Sequence, residues 1–254
     1  MKVEKDKRNI RNYNFRMANN DTAEECVERG YKEANLGKHD EAIKCFDKAI
    51  AIDPNHADAW TGKGSTLVNL GKHDEAIKCF DKAIETYPMH TVAWNNKGSV
   101  LDDLGKLDEA IKCFDRAIEI NPVDALGWNN KGASLLNSGN HDEAMRCFDK
   151  AITIYPNYTV AWNNKGASLL NSGNHDEAMR CFDIAIDMNP NYASAWYNRA
   201  SCNVKKGDIE NGLADLKHAI EIGKEEYIEL ATHDKNFESV RNDERFKILI
   251  NARF

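Results

Sequence analysis

Apolar residues along this chain fall into two helical stripes per unit, and the whole pattern returns every 34 residues. In residues 57–90, Ala59, Trp60, Gly64 and Leu67 keep helical spacing and make the first stripe. Gly71 stops that helix, as a glycine just past a C-terminus does. Asp74 and Glu75 follow, where negative charge complements the dipole of a new helix. Ala76, Ile77, Phe80, Ala83 and Ile84 form the second stripe, and Pro88 blocks its continuation. The pattern predicts two antiparallel helices joined by a glycine turn. Small residues at Gly64, Ala76 and Ala83 let them approach, and Trp60 and Phe80 fill the space beside them.

The period is visible in single residue types. Trp60, Trp94, Trp128, Trp162 and Trp196 are 34 residues apart, as are Pro54, Pro88, Pro122, Pro156 and Pro190. Gly37, Gly71, Gly105, Gly139, Gly173 and Gly207 keep the same interval. The 22-residue string Trp128–Asp149 recurs unchanged as Trp162–Asp183, and Leu36–Ile50 recurs as Leu70–Ile84. A period of this size signals a stacked array. Neither helix can bury its stripe alone, so neighbouring units must cover one another. The expected divisions are an arm at 1–22, repeats at 23–56, 57–90, 91–124, 125–158, 159–192 and 193–226, and a closing segment at 227–254.

The offsets of Trp60, Gly64, Leu67, Ala76, Phe80, Ala83 and Pro88 resemble the tetratricopeptide repeat (TPR). The resemblance covers about four-fifths of the chain in six copies in register. It implies an all-α fold: a right-handed α-solenoid of six helix-turn-helix units with a C-terminal capping segment. There are departures. Lys63, Lys97, Lys131, Lys165 and Arg199 replace the family's leucine before the glycine, and leucine replaces its tyrosine three residues after it in four units. Cys26 stands in place of the first tryptophan, and Ala200 and Gly212 replace the usual glycine and alanine of the last repeat. Terminal units are expected to be atypical, because each faces solvent on one side. Phe237, Val240, Phe246, Leu249 and Ile250 have helix-compatible spacing after the period stops, which reads as the cap.

Composition narrows the function classes. The 254 residues are 30% charged and 42% hydrophobic, with a net charge of -7. No stretch reaches the roughly 18 unbroken apolar residues of a membrane helix, and the first twenty residues lack the apolar core of a secretory signal. That arm carries Lys2, Lys5, Lys7, Arg8, Arg11 and Arg16 against Glu4 and Asp6, and reads as a solvated terminus. A cytoplasmic location without nucleic-acid or membrane partners is expected. Cys45, Cys79, Cys113, Cys147 and Cys181 are one repeat position seen five times. Equivalent positions in stacked helix pairs stand about 10 Å or more apart, beyond the ~7 Å Cα separation that a disulfide spans. They are expected to be small, partly buried thiols in a reducing compartment.

Candidate chemistry lies on one helix face. With the tryptophan as position 4, positions 4, 8 and 11 are expected to be buried, leaving 2, 6, 9 and 13 on the opposite side. In the family that this chain resembles, that side lines the concave groove. Position 6 holds Asn96, Asn130, Asn164 and Asn198, with Gly62 breaking the row in repeat two. Position 13 adds Asn137 and Asn171, position 9 is serine or alanine, and position 2 is Val92, Leu126 and Val160 in the middle repeats. Asparagine is a mediocre helix former, so a row of it asks for a reason. One amide can bond both the C=O and the N–H of an extended backbone, whatever its sequence. A comparable asparagine ladder lines the peptide groove of the TPR domain in O-linked N-acetylglucosamine transferases. Two plainer readings compete. Asn95, Asn129 and Asn163 show that asparagine is common in this helix, and duplication copies neutral residues as readily as useful ones.

Other patterns carry less. A chaperone C-terminal carboxylate is not expected as ligand, because the lysines and asparagines of the family's carboxylate clamp are missing from positions 5, 9 and 2. His39, His73, His141 and His175 occur once per repeat, too far apart to share a metal. The position-7 lysines could form a basic stripe for an acidic partner, but stems snorkelling over the helix edge account for them. No nucleophile motif or phosphate loop occurs, and no cofactor or metal is expected. The expected function is a non-catalytic scaffold for a protein or peptide partner, with self-association as the alternative.

Overall fold

A computed structural model describes residues 21–251 of the chain. The basic stretch 1–20 lies outside the described residues. Among the described residues all regular structure is helical, and they divide into two compact units between Ile120 and Asn121.

The first unit holds three helix pairs: α1 (Ala23–Asn35) with α2 (His39–Ile52), α3 (Ala57–Asn69) with α4 (His73–Thr86), and α5 (Thr91–Asp103) with α6 (Leu107–Ile120). Thr22 begins the first of them with a reciprocal cap. Its hydroxyl accepts the Glu25 N–H at 3.2 Å, and the Glu25 carboxylate accepts the Thr22 N–H at 2.8 Å. Within a pair, the glycine turn is a Schellman-type closure. Gly71 takes φ +70°, its N–H bonds to Val68 O at 2.8 Å, and the Lys72 N–H bonds to Leu67 O at 2.9 Å. A side chain there would strain the left-handed backbone, which explains the glycine in every copy.

The second unit has three more pairs: α7 (Ala125–Asn137) with α8 (His141–Ile154), α9 (Thr159–Asn171) with α10 (His175–Met188), and α11 (Ala193–Lys206) with α12 (Ile209–Gly223). The period then gives way to α13 (Glu225–His233), a 3-10 segment (Lys235–Val240) and α14 (Glu244–Ile250). Phe237, Val240 and Phe246 are buried in one cluster with Leu216 and Ile220 of the last repeat, and Leu249 and Ile250 pack against it. These apolar residues cover the end of the stack through three short elements. Asp234 and Asp243 start the second and third by accepting the N–H groups of Asn236 and Arg245.

Each regular pair closes on a phenylalanine. Phe46, Phe80, Phe114, Phe148 and Phe182 are fully buried or nearly so, each burial contributing about 1.5–3 kcal/mol. A Cβ on Gly64 would lie 2.6 Å from the Phe80 ring, and Gly98, Gly132 and Gly166 meet Phe114, Phe148 and Phe182 in the same way. The position-8 glycine is therefore the floor on which the ring sits.

The buried stripe is wider than its spacing suggested. Positions 3, 5, 8, 10 and 11 of α9 are buried, at Ala161, Asn163, Gly166, Ser168 and Leu169, while Trp162 at position 4 is half-buried. The first helix of an inner pair has neighbours on several sides: α3 touches α1, α2, α4 and α5. The tryptophan instead lies over the pair's edge, with its indole N–H donated to the carbonyl of the preceding proline, at 2.9 Å for Trp162 and Pro156.

The seven cysteines are thiols, none of them in a disulfide among the described residues. Burial pushes the Cys79 thiol up to about 11 and raises those of Cys113 and Cys181, so they are poor nucleophiles at neutral pH.

Candidate functional site

Positions 2, 6, 9 and 13 share one helix face, which solvent reaches in repeats three to five. In the first unit, Val92 is 53% exposed. Asn96 is half-buried and donates to the Ser65 hydroxyl of the preceding repeat at 3.0 Å. In the second unit, Leu126 is 48% exposed and Val160 half-buried, while Asn137 and Asn171 are exposed near the helix ends. Asn130, Asn164 and Asn198 are half-buried, with Ala133 and Ala167 one turn on.

The gap in the row at repeat two has a steric cause. A Cβ on Gly62 would stand 2.4 Å from the Phe46 ring. Tyr31 packs edge-on against that ring, with centroids 5.2 Å apart. Repeat one alone has tyrosine at that position, so its phenylalanine lies where an asparagine side chain would begin.

The neighbouring asparagines are the residues that the pattern missed. Asn129 and Asn163, one residue before the ladder, are only 4% exposed. The Asn198 amide donates to Asn163 Oδ1 at 2.9 Å, and Asn163 donates to Asn164 Oδ1 at 3.4 Å. Asn164 donates to Asn129 Oδ1 at 3.1 Å, and Asn129 donates to Asn130 Oδ1 at 3.3 Å. Five side chains from three successive repeats thus form one directed hydrogen-bond chain. Its sequence signal is the Asn-Asn pair of repeats three to five, which is replaced by Thr61-Gly62 in repeat two.

At repeat six positions 5 and 2 turn to the cap, while Asn198 at position 6 keeps its bond to Asn163. Tyr197 replaces the buried asparagine and donates its hydroxyl to Asp234 at 2.9 Å. Burial and that bond hold the Tyr197 phenol far above its usual range. Ser194, at position 2, lies 2.8 Å from the Tyr227 hydroxyl. Beside them Tyr197, Glu226, Glu229, Leu230, His233 and Asp234 line a cleft of about 520 Å³.

The lysine row is engaged within the protein. Lys63 reaches Asp47 at 2.6 Å, Lys97 reaches Asp81 at 2.6 Å, and Lys165 reaches Asp149 at 2.7 Å, each on the second helix of the preceding repeat. The same ammonium groups lie 5.7–6.0 Å from the centres of Trp60, Trp94 and Trp162. Stems along the helix edge were expected, and the charged heads prove to have fixed partners. His39, His73 and His175 are half-buried at the turns and His141 is exposed. Among the described residues no group of three or more His, Cys, Asp or Glu could hold a metal, and no helix is long and apolar enough to cross a membrane.

Family models described as tetratricopeptide repeat match residues 57–90, 91–124, 125–158, 159–192 and 193–224, and one described as TPR repeat matches 30–71. No curated protein matches the chain. Among solved structures, MamA is 27% identical, with a TM-score of 0.57 over 65% of this chain and 96% of that one. YrrB, titled a TPR protein with an unusual peptide-binding site, is 24% identical, with a TM-score of 0.54 over 74% of this chain and 97% of that one. PilF of Pseudomonas aeruginosa is 16% identical, with a TM-score of 0.73 over 87% of this chain and 97% of that one. The likeness to the last two is one of fold.

Proposed function

The chain belongs to the tetratricopeptide repeat family, and from that premise we propose that it is a non-catalytic scaffold whose first-helix face takes an extended peptide of a partner protein. Repeats of this family make protein-protein interaction scaffolds. The observation that carries the finer reading is the set of half-buried amides Asn130, Asn164 and Asn198 on successive repeats of one unit. A primary amide has two N–H donors and an oxygen with two lone pairs. Asn164 spends one donor on Asn129 and one acceptor site on Asn163. That leaves a donor and an acceptor for a ligand backbone. Leu126 and Val160 on the same face supply apolar contact for side chains, and Ala133 and Ala167 leave room. Asn137 and Asn171 extend the polar lining, and Val92 and Asn96 give the first unit a similar face.

Each net hydrogen bond is worth about 0.5–1.5 kcal/mol, so micromolar affinity is expected, near -8 kcal/mol in total. The test is selection of a phage-displayed random dodecapeptide library on the full chain, then titration of a selected peptide. Asn130→Ala/Asn164→Ala weakens it about tenfold if each amide contributes its share. Unchanged affinity overturns the reading.

Self-association is a second reading, favoured by one observation. Leu36, Leu70 and Leu104 share the turn position of repeats one to three and are exposed, whereas Ser138, Ser172 and Lys206 stand there in later repeats. Light scattering separates the two: mass that rises with concentration supports association through that edge, and a monomer throughout excludes it.

A further inference from the structure

The ladder asparagines could each present either amide edge to a ligand, because rotation about the last side-chain bond exchanges N–H₂ for O. Something must choose the edge if successive repeats are to read one backbone in register. We propose that Asn129 and Asn163 are positioning residues that fix the amide orientation of Asn130, Asn164 and Asn198, so that each repeat offers a peptide the same donor and acceptor. This rests on the peptide-binding reading above and deepens it.

Three observations support the assignment. First, Asn129 and Asn163 are too deeply buried to touch a ligand, yet each bonds to two ladder or flanking amides at once. Asn163 accepts from Asn198 and donates to Asn164, so it orients one residue of its own helix and one of the next repeat. Asn129 stands in the same relation to Asn164 and Asn130. Second, in repeats four and five the buried asparagine bonds to the ladder residue beside it, and repeat two has Thr61 beside Gly62, which has no side chain to hold. In repeat six, where Tyr197 stands beside Asn198, the ladder residue is held from Asn163 of the repeat before. Third, the position tolerates other residues: Thr61 and Tyr197 occupy it, both buried. Packing alone therefore does not call for asparagine there.

The chain also ranks the ladder. Asn164 is held from both sides, accepting from Asn163 and donating to Asn129. Asn198 is held through its N–H alone, because Tyr197 gives its proton to Asp234. Losing Asn163 removes the partner of both, so one buried substitution should disturb two ligand-facing amides.

The test is Asn163→Thr in the full chain, using the residue that repeat two already accommodates. Expected are a melting temperature close to that of wild type and an affinity for the library-selected dodecapeptide about fivefold weaker, the size of one net hydrogen bond. In the ligand-free, 15N-labelled protein the side-chain NH₂ signals of Asn164 and Asn198 should move and exchange faster with water, while those of exposed Asn137 stay in place. A purely structural role would lower stability without moving those two signals together. Unchanged Asn164 and Asn198 signals overturn the inference. So does unchanged affinity in Asn163→Thr when Asn164→Ala weakens binding. If Asn164→Ala leaves binding intact, it is the peptide-binding reading that fails instead.

Discussion

Repeats five and six share a backbone plan and use it for opposite ends. In repeat five, Asn163 and Lys165 serve neighbours of the same kind, the amide accepting from Asn198 and the ammonium reaching Asp149, while within the repeat Gly166 makes room for the Phe182 ring. In repeat six the corresponding residues are Tyr197, Arg199, Ala200 and Leu216, and their neighbour is the cap. Tyr197 meets Tyr227 and Phe237 at ring centroids of 5.5 Å and bonds to Asp234. Arg199 reaches Asp183 at 2.7 Å, as the lysines reach their aspartates, but also grips Asp215 through two nitrogens at 2.9 and 2.7 Å. An inner repeat is built to be continued, and the last one is built to stop.

The largest test of that difference is the basic residue. Lys165→Met removes a pair whose aspartate is half exposed, and should cost about 0–1 kcal/mol. Arg199→Met strands Asp215, which is buried with Asn203 as its other side-chain donor, and should cost about 3 kcal/mol. Urea unfolding of the two variants compares them. Equal losses would mean that the terminal repeat has no special ionic anchor.

A smaller effect is expected from exchanging the glycine floor. Gly166→Ala places a Cβ 2.5 Å from the Phe182 ring and should destabilise by about 1–3 kcal/mol. The combination found in repeat six, Gly166→Ala with Phe182→Leu, should recover part of that loss, so the double variant unfolds later than the sum of the single losses predicts. Strict additivity would break the claim that alanine and leucine form a matched set.

The smallest effect concerns the cap alone. The Arg245 side chain holds the Asp243 carboxyl at about 2, below its ordinary 3.8. A depressed carboxyl stabilises the folded state above its unfolded pKa and loses that contribution as pH falls through the folded one. Amide exchange in α14 should therefore quicken on acidification from about pH 4 to about pH 2. A transition centred near the ordinary carboxylate value would show that the pair does not hold the cap.

Much of this architecture was legible in the sequence. The tryptophan, glycine and proline periods place every helix pair, because left-handed turns and helix stops are local requirements. The apolar residues Phe237, Val240 and Phe246 marked the cap. Its division into three elements was hidden, because it depends on Asp234 and Asp243 as caps rather than on apolar spacing. Burial of Asn129 and Asn163 was hidden for another reason. A single stripe describes a helix with one neighbour, and these helices have several. The partners of the lysines also escaped the pattern, since Asp47, Asp81 and Asp149 belong to the preceding unit and come close only through stacking.

The directed chain of amides has a consequence for how such a protein could grow. Repeat five is both a giver and a taker: Asn164 gives to Asn129 of the repeat before it and Asn163 takes from Asn198 of the repeat after it, so its two edges are complementary to each other. A duplicated module inserted between two existing ones meets the same grammar on either side and lengthens the chain without rewriting its neighbours. Tyr197 is then the full stop: it passes its proton to the cap instead of along the row, and no later module could read from it. The identity of Trp128–Asp149 with Trp162–Asp183 is what such copying leaves behind.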